Sequence, residues 1–513
     1  MGKMQKLRNN TGTVLKGMGT LLLAAGLSLS TAGMFHAVTV QEYMLQDYDE
    51  ESYVGSGHWQ ELRLSGKEAA QYPALNQALD TWFSEEGMRQ EATFHDYCQE
   101  IREIRTFGAS PDVSASLEYD VYPRRSDEKV FSFLGSFYGY SGGVHGYYSY
   151  SGRNFDPSTG KELQLADVIT DEGLLRTILE FALTEKYPES SFASNGGSLE
   201  GYGFDPEDDQ YTWLMDPQGI VFYFNPYEIA SYAEGCLFVE LSYAQHPGLF
   251  RNDYCMDGSF ACAQPYWWQG VSMDLDGDGS FEKISIIPNY TDYSRIESIR
   301  IDIDSRTYQG STLVGDMWCY DILPVLMHLR DGNNYLYIDT TSDNDWHNLF
   351  VVDLNGPQPR LVTTVTGAGL YKVYGSEADA FFRPMPLDPE RFLLSSRFDL
   401  LSTYCAQRCY KAGEYGPIPL EKYYTVPSAH PLLTVRDLPV EELDEATGEM
   451  TGGRLVVPAG EMLMITRTDG DSFVDVRRGD GSTVRILIDT NVWPRTIEGE
   501  DEKSFFETLY YAG

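Results

Sequence analysis

The chain has 513 residues, 38 Lys and Arg against 77 Asp and Glu, and a formal net charge of −39. That length predicts several domains, and a hydrophobic fraction of 42 % excludes global disorder. The sign of the charge argues against nucleic acid as a partner, because phosphates are repelled, and against retention on anionic lipid through basic residues.

Lys3, Lys6, Arg8 and Lys16 come first, with no acidic residue before Glu42, and an apolar stretch runs from Gly17 to Val40. Basic residues followed by an apolar run are the signature of a secretory signal. The run also reaches the roughly 20 residues that span a bilayer, so segment 1–40 is read as a signal peptide or an N-terminal membrane anchor. Both readings place the remaining chain outside the cytoplasm, secreted or at the cell surface. Any membrane contact is then through this segment alone. Residues 41–54 are acidic and polar and read as a linker.

Tyr72-Pro73-Ala74-Leu75 opens a helix, with Leu75, Ala78, Leu79, Trp82 and Phe83 at helical spacing. Gly87 is expected to break it, with a second helical piece ending near Arg105. Val113, Ala115, Leu117, Tyr119 and Val121 alternate as a half-buried strand, and Phe131–Tyr140 and Tyr147–Asn154 follow as two more. Asp156-Pro157-Ser158-Thr159-Gly160 is a turn by composition. A helix carries Leu175, Ile178, Leu179 and Ala182 on one face. Residues 188–210 read as a long loop, and Gly219–Phe224 and Leu237–Leu241 as strands flanking a helical turn at 225–230. Residues 55–250 thus form an α+β module with helices packed on antiparallel strands. A mostly-β domain is expected over 265–435. Residues 450–513 hold four short strands with hairpin turns at Asp469-Gly470 and Asp480-Gly481, which predicts a small C-terminal SH3-like β-barrel.

The seven cysteines are an odd number and do not suit a disulfide scaffold. Cys255 and Cys262 could close a small loop. Cys405 and Cys409 would share a face on a helix. Neither pair has zinc spacing.

The sharpest motif is Asp274-Leu275-Asp276-Gly277-Asp278-Gly279-Ser280-Phe281-Glu282. Carboxylates at positions one, three and five converge on one hard cation, and the glycines permit the turn that brings them together. Residue 285 is Ser where an EF-hand needs Glu, and the flanks are strand-like, so the pattern predicts a short calcium loop of the extracellular type. Asp274, Asp276, Asp278, Ser280 and Glu282 are the expected Ca²⁺ ligands. Asp339, Asp343 and Asp345, then Asp353-Leu354-Asn355-Gly356, are a weaker echo and read as polar loops. Gly139-Tyr140-Ser141-Gly142-Gly143 fits G-x-S-x-G with His145 close behind, but a nucleophilic Ser needs a strand-to-helix elbow, and the residues after it read as strand. A glycine-permitted bend is the better reading. Arg478-Gly479-Asp480 reads as part of a turn. Tyr266, Trp267 and Trp268 are aromatics that stack on sugars or pack a core.

Val130-Phe131-Ser132-Phe133, Tyr138-Gly139-Tyr140-Ser141-Gly142-Gly143-Val144-His145-Gly146, Asn154 to Leu163, Leu165-Ala166-Asp167-Val168, Gly219 to Ala230 and Ala233-Glu234-Gly235 run in that order. This set resembles the extracellular domain of RsiV-type anti-sigma proteins, a module of unknown function shared with PdaC-type peptidoglycan deacetylases. The resemblance covers residues 55–250. It implies an α+β fold on the outside of Gram-positive bacteria and, in the RsiV branch, binding of lysozyme without chemistry. Only 16 residues precede the apolar run, so the sigma role does not carry over. The metal-binding Asp and His set of the deacetylases is not visible, and no family functional residue is carried over. The sequence therefore predicts an exported, non-enzymatic, cell-surface protein that binds a wall-associated or protein ligand, a lysozyme-like cationic protein included. A wall-active hydrolase with an unrecognised site in the region of Ser141 and His145, or a structural surface spacer, are the alternatives.

Overall fold

The computed structural model describes residues 3–7, 38–49, 52–64, 66–200, 211–243, 245–255, 261–265, 270–278, 280–291, 295–315, 317–370, 386–444 and 447–511. Most of the apolar run 17–40, and Tyr266, Trp267 and Trp268, lie outside these residues. No helix among the described residues is long and apolar enough to cross a membrane.

The first sheet has the order β1 (Lys3–Leu7), β2 (Val38–Asp49), β3 (Ser52–Leu64), β4 (Ala115–Ser126), β5 (Phe131–Tyr140) and β6 (Tyr147–Phe155). Residues 41–54, expected as a linker, belong largely to a long hairpin in which Val40 faces Leu62 and Met44 faces His58. The burial of Val40, Leu45 and Val54 explains this; the polar residues between them hide the alternation. β3 and β4 are parallel, with Gly55 opposite Ala115. A parallel pair requires a crossover, here α1 (Gly66–Gln71) and α2 (Pro73–Thr106).

The expected break at Gly87 is absent: α2 is one helix of 34 residues, burying Leu75, Leu79, Phe83, Phe94, Cys98 and Ile101. Gly87 serves packing instead. A Cβ there would stand 2.9 Å from Glu61 Oε1 and 3.4 Å from Trp59 Nε1, so its bare backbone lets the helix settle onto β3.

The second layer holds α3 (Leu165–Val168), α4 (Glu172–Lys186), α5 (Ser191–Ser194) and the antiparallel sheet β7 (Thr212–Met215), β8 (Gly219–Phe224), β9 (Leu237–Ser242). Asp171 caps α4 by accepting from the Leu174 N–H. Leu175, Leu179 and Leu183, spaced by four, pack with Ile220, Phe222 and Phe224. The expected helical turn at 225–230 is an irregular turn, with Tyr227 at φ 73°. Polar rungs join this layer to the first sheet. Arg124 Nε and Nη2 donate to Asp216 Oδ1 and Oδ2 at 3.0 and 2.8 Å. The Ser132 hydroxyl donates to the Met215 carbonyl, and Asn154 bonds both Trp213 O and Met215 N.

The next region is mostly strand. β11 (Val271–Met273), β12 (Glu282–Tyr290), β13 (Ile296–Ile303) and β14 (Arg306–Gln309) form one sheet, and β10 (Ala261–Ala263), β15 (Asp321–His328), β16 (Asn334–Ser342), β17 (Trp346–Asp353) and β18 (Arg360–Thr366) another. Strand periodicity splits β16 between two cores. Leu336 and Ile338 pack with Ile284, Ile286 and Ile299, while Tyr335 and Tyr337 pack with Leu394 and Tyr410 on the other face.

Eleven of the remaining strands form an open sheet, and Thr496–Ile497 pairs with Glu500–Asp501 apart from it. The eleven are β19 (Ala368–Leu370), β20 (Phe392–Asp399), β21 (Thr403–Lys411), β22 (Ile418–Pro419), β23 (Tyr424–Thr425), β24 (Leu432–Leu433), β25 (Leu438–Leu443), β26 (Met450–Val457), β27 (Met462–Thr468), β28 (Phe473–Arg477) and β29 (Thr483–Leu487). No closed barrel forms among the described residues. The C-terminal strands are drawn into the larger sheet because β23 bridges β21 to β27, with Gln407 opposite Thr425 and Tyr424 opposite Thr468. Leu400, Leu401 and Ala406 accordingly share a core with Val474, Ile486 and Phe505. The turns at Gly470 and Gly481 do connect hairpins, at φ 87° and 90°. Cys405 and Cys409 lie on strand β21, not on a helix. All seven cysteines are thiols.

Candidate functional site

The aspartate loop joins β11 to β12, whose register sets Met273 opposite Glu282. Asp274 and Glu282 therefore leave the two arms of one hairpin side by side. Gly277, at φ 76°, supplies the left-handed residue that folds the loop back. Asp274, Asp276 and Glu282 each present a carboxylate oxygen, and these oxygens lie within 4.8 Å of one another. A Ca²⁺ ion, with bonds of about 2.3–2.6 Å, spans oxygens at that separation. Asp278 and Ser280 are not in this group; Asp278 Oδ1 accepts from the Ser280 N–H at 2.7 Å.

Hydrogen bonds shape the loop. Leu275 N–H donates to Glu282 Oε2 and Gly277 N–H to Asp274 Oδ1, each at 2.8 Å. The loop is also tied to the neighbouring sheet, because buried Asn334 donates from Nδ2 to the Leu275 carbonyl at 2.9 Å. Asn334 N–H in turn donates to Asn355 Oδ1, and His328 Nδ1 lies 2.8 Å from Asn334 Oδ1. The weaker acidic echo disperses. Asp339 is buried against His347 at 2.8 Å, Asp353 pairs with Arg360, and Asp343 lies at a turn.

Ser141 and His145 fall in the loop between β5 and β6, where Gly139 pairs with Tyr147. This is a strand-to-strand hairpin, so the elbow that exposes a hydrolase nucleophile is not built there. His145 stacks on Tyr232 with ring centroids 3.9 Å apart and holds Nδ1 2.8 Å from the Gly146 carbonyl. Tyr232 donates its hydroxyl to that same carbonyl and stacks on exposed Tyr227. The 225–235 segment is fastened at both ends. Asn225 bonds the Tyr150 backbone at both N–H and carbonyl, and Glu234 accepts from Ser231 and Ser191. Those hydrogen bonds, Ser231 first, hold the Glu234 carboxyl down at about 2. Arg478-Gly479-Asp480 is the loop of the β28–β29 hairpin, with Arg478 bound to Glu461.

One group the sequence does not single out is Lys186. Burial lowers its amine to about 8. Its Nζ donates to the Phe238 carbonyl at 2.9 Å and sits 3.6 Å from the Phe238 ring centre. Its only sequence signal is its place in the last turn of an amphipathic helix.

The model of DUF3298, a protein family of unknown function, matches residues 167–244, so a DUF3298 domain contains α4 to β9. Two solved structures are similar. A DUF3298-family protein of Bacteroides fragilis matches at 15 % identity, TM-score 0.32, over 44 % of this chain and 95 % of its own. One of Pseudomonas aeruginosa matches at 16 % identity, TM-score 0.31, over 42 % and 95 %. Among curated proteins, none matches the chain.

Proposed function

We propose that this chain, with a DUF3298 domain at residues 167–244, is an exported bacterial cell-surface protein that binds a cationic ligand without transforming it. The ligand is a cationic protein of the lysozyme kind or a positively charged wall component. The observation that carries this reading is the charge, 77 acidic against 38 basic residues. It has a local expression in α2, which turns Glu85, Asp96, Glu100 and Glu103 to solvent. Complementary charge speeds encounter and selects partners by sign. The RsiV-like residue set supports the choice of partner, and the basic-then-apolar order of the first forty residues supports export. Pull-down with immobilised lysozyme tests the reading. Retention at low salt and release at high salt are expected; failure to retain the chain at low salt contradicts it.

In the same reading, Asp274, Asp276 and Glu282 hold a structural Ca²⁺ that ties the β11–β12 hairpin to its sheet. Three carboxylates packed together repel one another, and a cation relieves that repulsion. Ca²⁺ at about 100 times its dissociation constant is expected to stabilise the fold by about 2.7 kcal/mol. Thermal melting with Ca²⁺ and with a chelator measures this, and Asp276→Ala should lose the response. An equal midpoint for the wild type in both conditions would show that no ion is held.

A further inference from the structure

Where the five-stranded sheet meets the eleven-stranded sheet, an open groove of about 410 Å³ is lined by Asp343, Asn344, Trp346, Arg397 and Asp399. Its volume falls within the roughly 300–1,000 Å³ of small-molecule clefts. One wall is the β16–β17 hairpin, whose turn contains Asn344 in the left-handed region, at φ 59°. The other is the end of β20. Gly367, between β18 and β19, bonds both walls: its N–H donates to the His347 carbonyl at 2.8 Å, and its carbonyl accepts from Arg397 N–H at 3.4 Å. A Cβ on Gly367 would lie 3.4 Å from Trp346 Cη2, so the indole packs against bare backbone.

The polar groups are positioned from outside the groove. Asp343 accepts from the Tyr320 hydroxyl, which itself accepts from Arg295 Nη2 at 2.6 Å. Asp399 Oδ1 accepts from the Thr403 hydroxyl. Arg397 Nη1 donates to the Asn344 carbonyl at 3.3 Å. Trp346 stays 40 % exposed, leaving indole surface for a ligand to cover.

The charges select the ligand class. A phosphate would face the Asp343 and Asp399 carboxylates, and an ammonium group would gain those carboxylates only by lying beside the Arg397 guanidinium. A neutral polyol meets neither penalty. Its hydroxyls donate to the carboxylates and accept from the guanidinium, and the Asn344 amide offers both. The indole face suits the C–H face of a sugar ring, which is apolar. We propose that this groove binds the pyranose ring of a neutral saccharide. The proposal does not rest on the cationic-partner reading, and either one can fail alone.

Isothermal titration of the full chain with glucose, galactose, mannose and N-acetylglucosamine, each to about 10 mM, tests it. At least one sugar should bind with a millimolar constant. Trp346→Ala should weaken that binding by about tenfold, while Trp346→Phe, which keeps an aromatic face, should stay within about threefold. Arg397→Gln leaves the indole in place and should also weaken binding. Absence of binding for all four sugars overturns the proposal. So does binding that is unchanged in both Trp346→Ala and Arg397→Gln, or tighter binding of methylammonium or inorganic phosphate than of any of the sugars.

Discussion

Asp216→Ala is expected to lower the unfolding free energy by about 3–5 kcal/mol, because it strands a buried guanidinium. Arg124 is only 8 % exposed and Asp216 6 %, and they meet in a bidentate pair. Burial alone would pull the Arg124 pKa down, and the Asp216 carboxylate more than reverses it. Without that carboxylate, the charge remains in a site that water does not reach. The pair also spans two layers, since Arg124 lies on β4 and Asp216 at the turn after β7. Replacing both, as Arg124→Met with Asp216→Leu, should recover most of the loss, because the cost lies in leaving one charge alone. Urea unfolding of the two single variants and the double variant measures the coupling. Additive losses would show that the two side chains do not act as a pair.

Gly152→Val is expected to destabilise the same seam by at least about 3 kcal/mol. A Cβ at Gly152 would stand 2.0 Å from the Trp213 carbonyl oxygen and 2.7 Å from its carbon. These are backbone atoms and cannot rotate aside, so β7 would have to lift off β6. Lifting it would also break the bonds from Asn154 to Trp213 O and Met215 N. Thermal melting shows the loss. A midpoint for Gly152→Val equal to that of wild type would mean that β6 and β7 are not packed this closely.

What the sequence discloses is set by range. Phe131–Tyr140 and Gly219–Phe224 are apolar runs bounded by turn residues, and their strands match those bounds. The aspartate loop is local as well, and the carboxylates of Asp274, Asp276 and Glu282 converge through one hairpin. Gly87 misleads because helix propensity penalises glycine in every context, whereas here contact with Trp59 and Glu61 decides. β2 escapes notice because Glu42, Gln46 and Asp47 lie among its apolar residues, and Asp47 is buried by pairing with Arg102. No closed C-terminal barrel forms among the described residues, for a similar reason. The C-terminal strands have the right lengths, but the pairing of Thr425 with Gln407 is not written in either segment. The Arg124–Asp216 pair and the Trp346 groove join residues far apart in the chain, and no local pattern marks them.

Capture of a cationic partner by an acidic, exported surface, as proposed, makes lysozyme binding by the full chain depend on salt. Exposed charges more than about 10 Å apart are screened at 0.1 M salt. The association constant should therefore fall by at least about tenfold between roughly 20 mM and 500 mM salt, mostly through a slower on-rate. Glu100→Lys with Glu103→Lys, which reverses charge on the exposed face of α2, should lower it further at low salt. No binding at low salt, or a constant that does not change with salt, would show that charge does not recruit the partner.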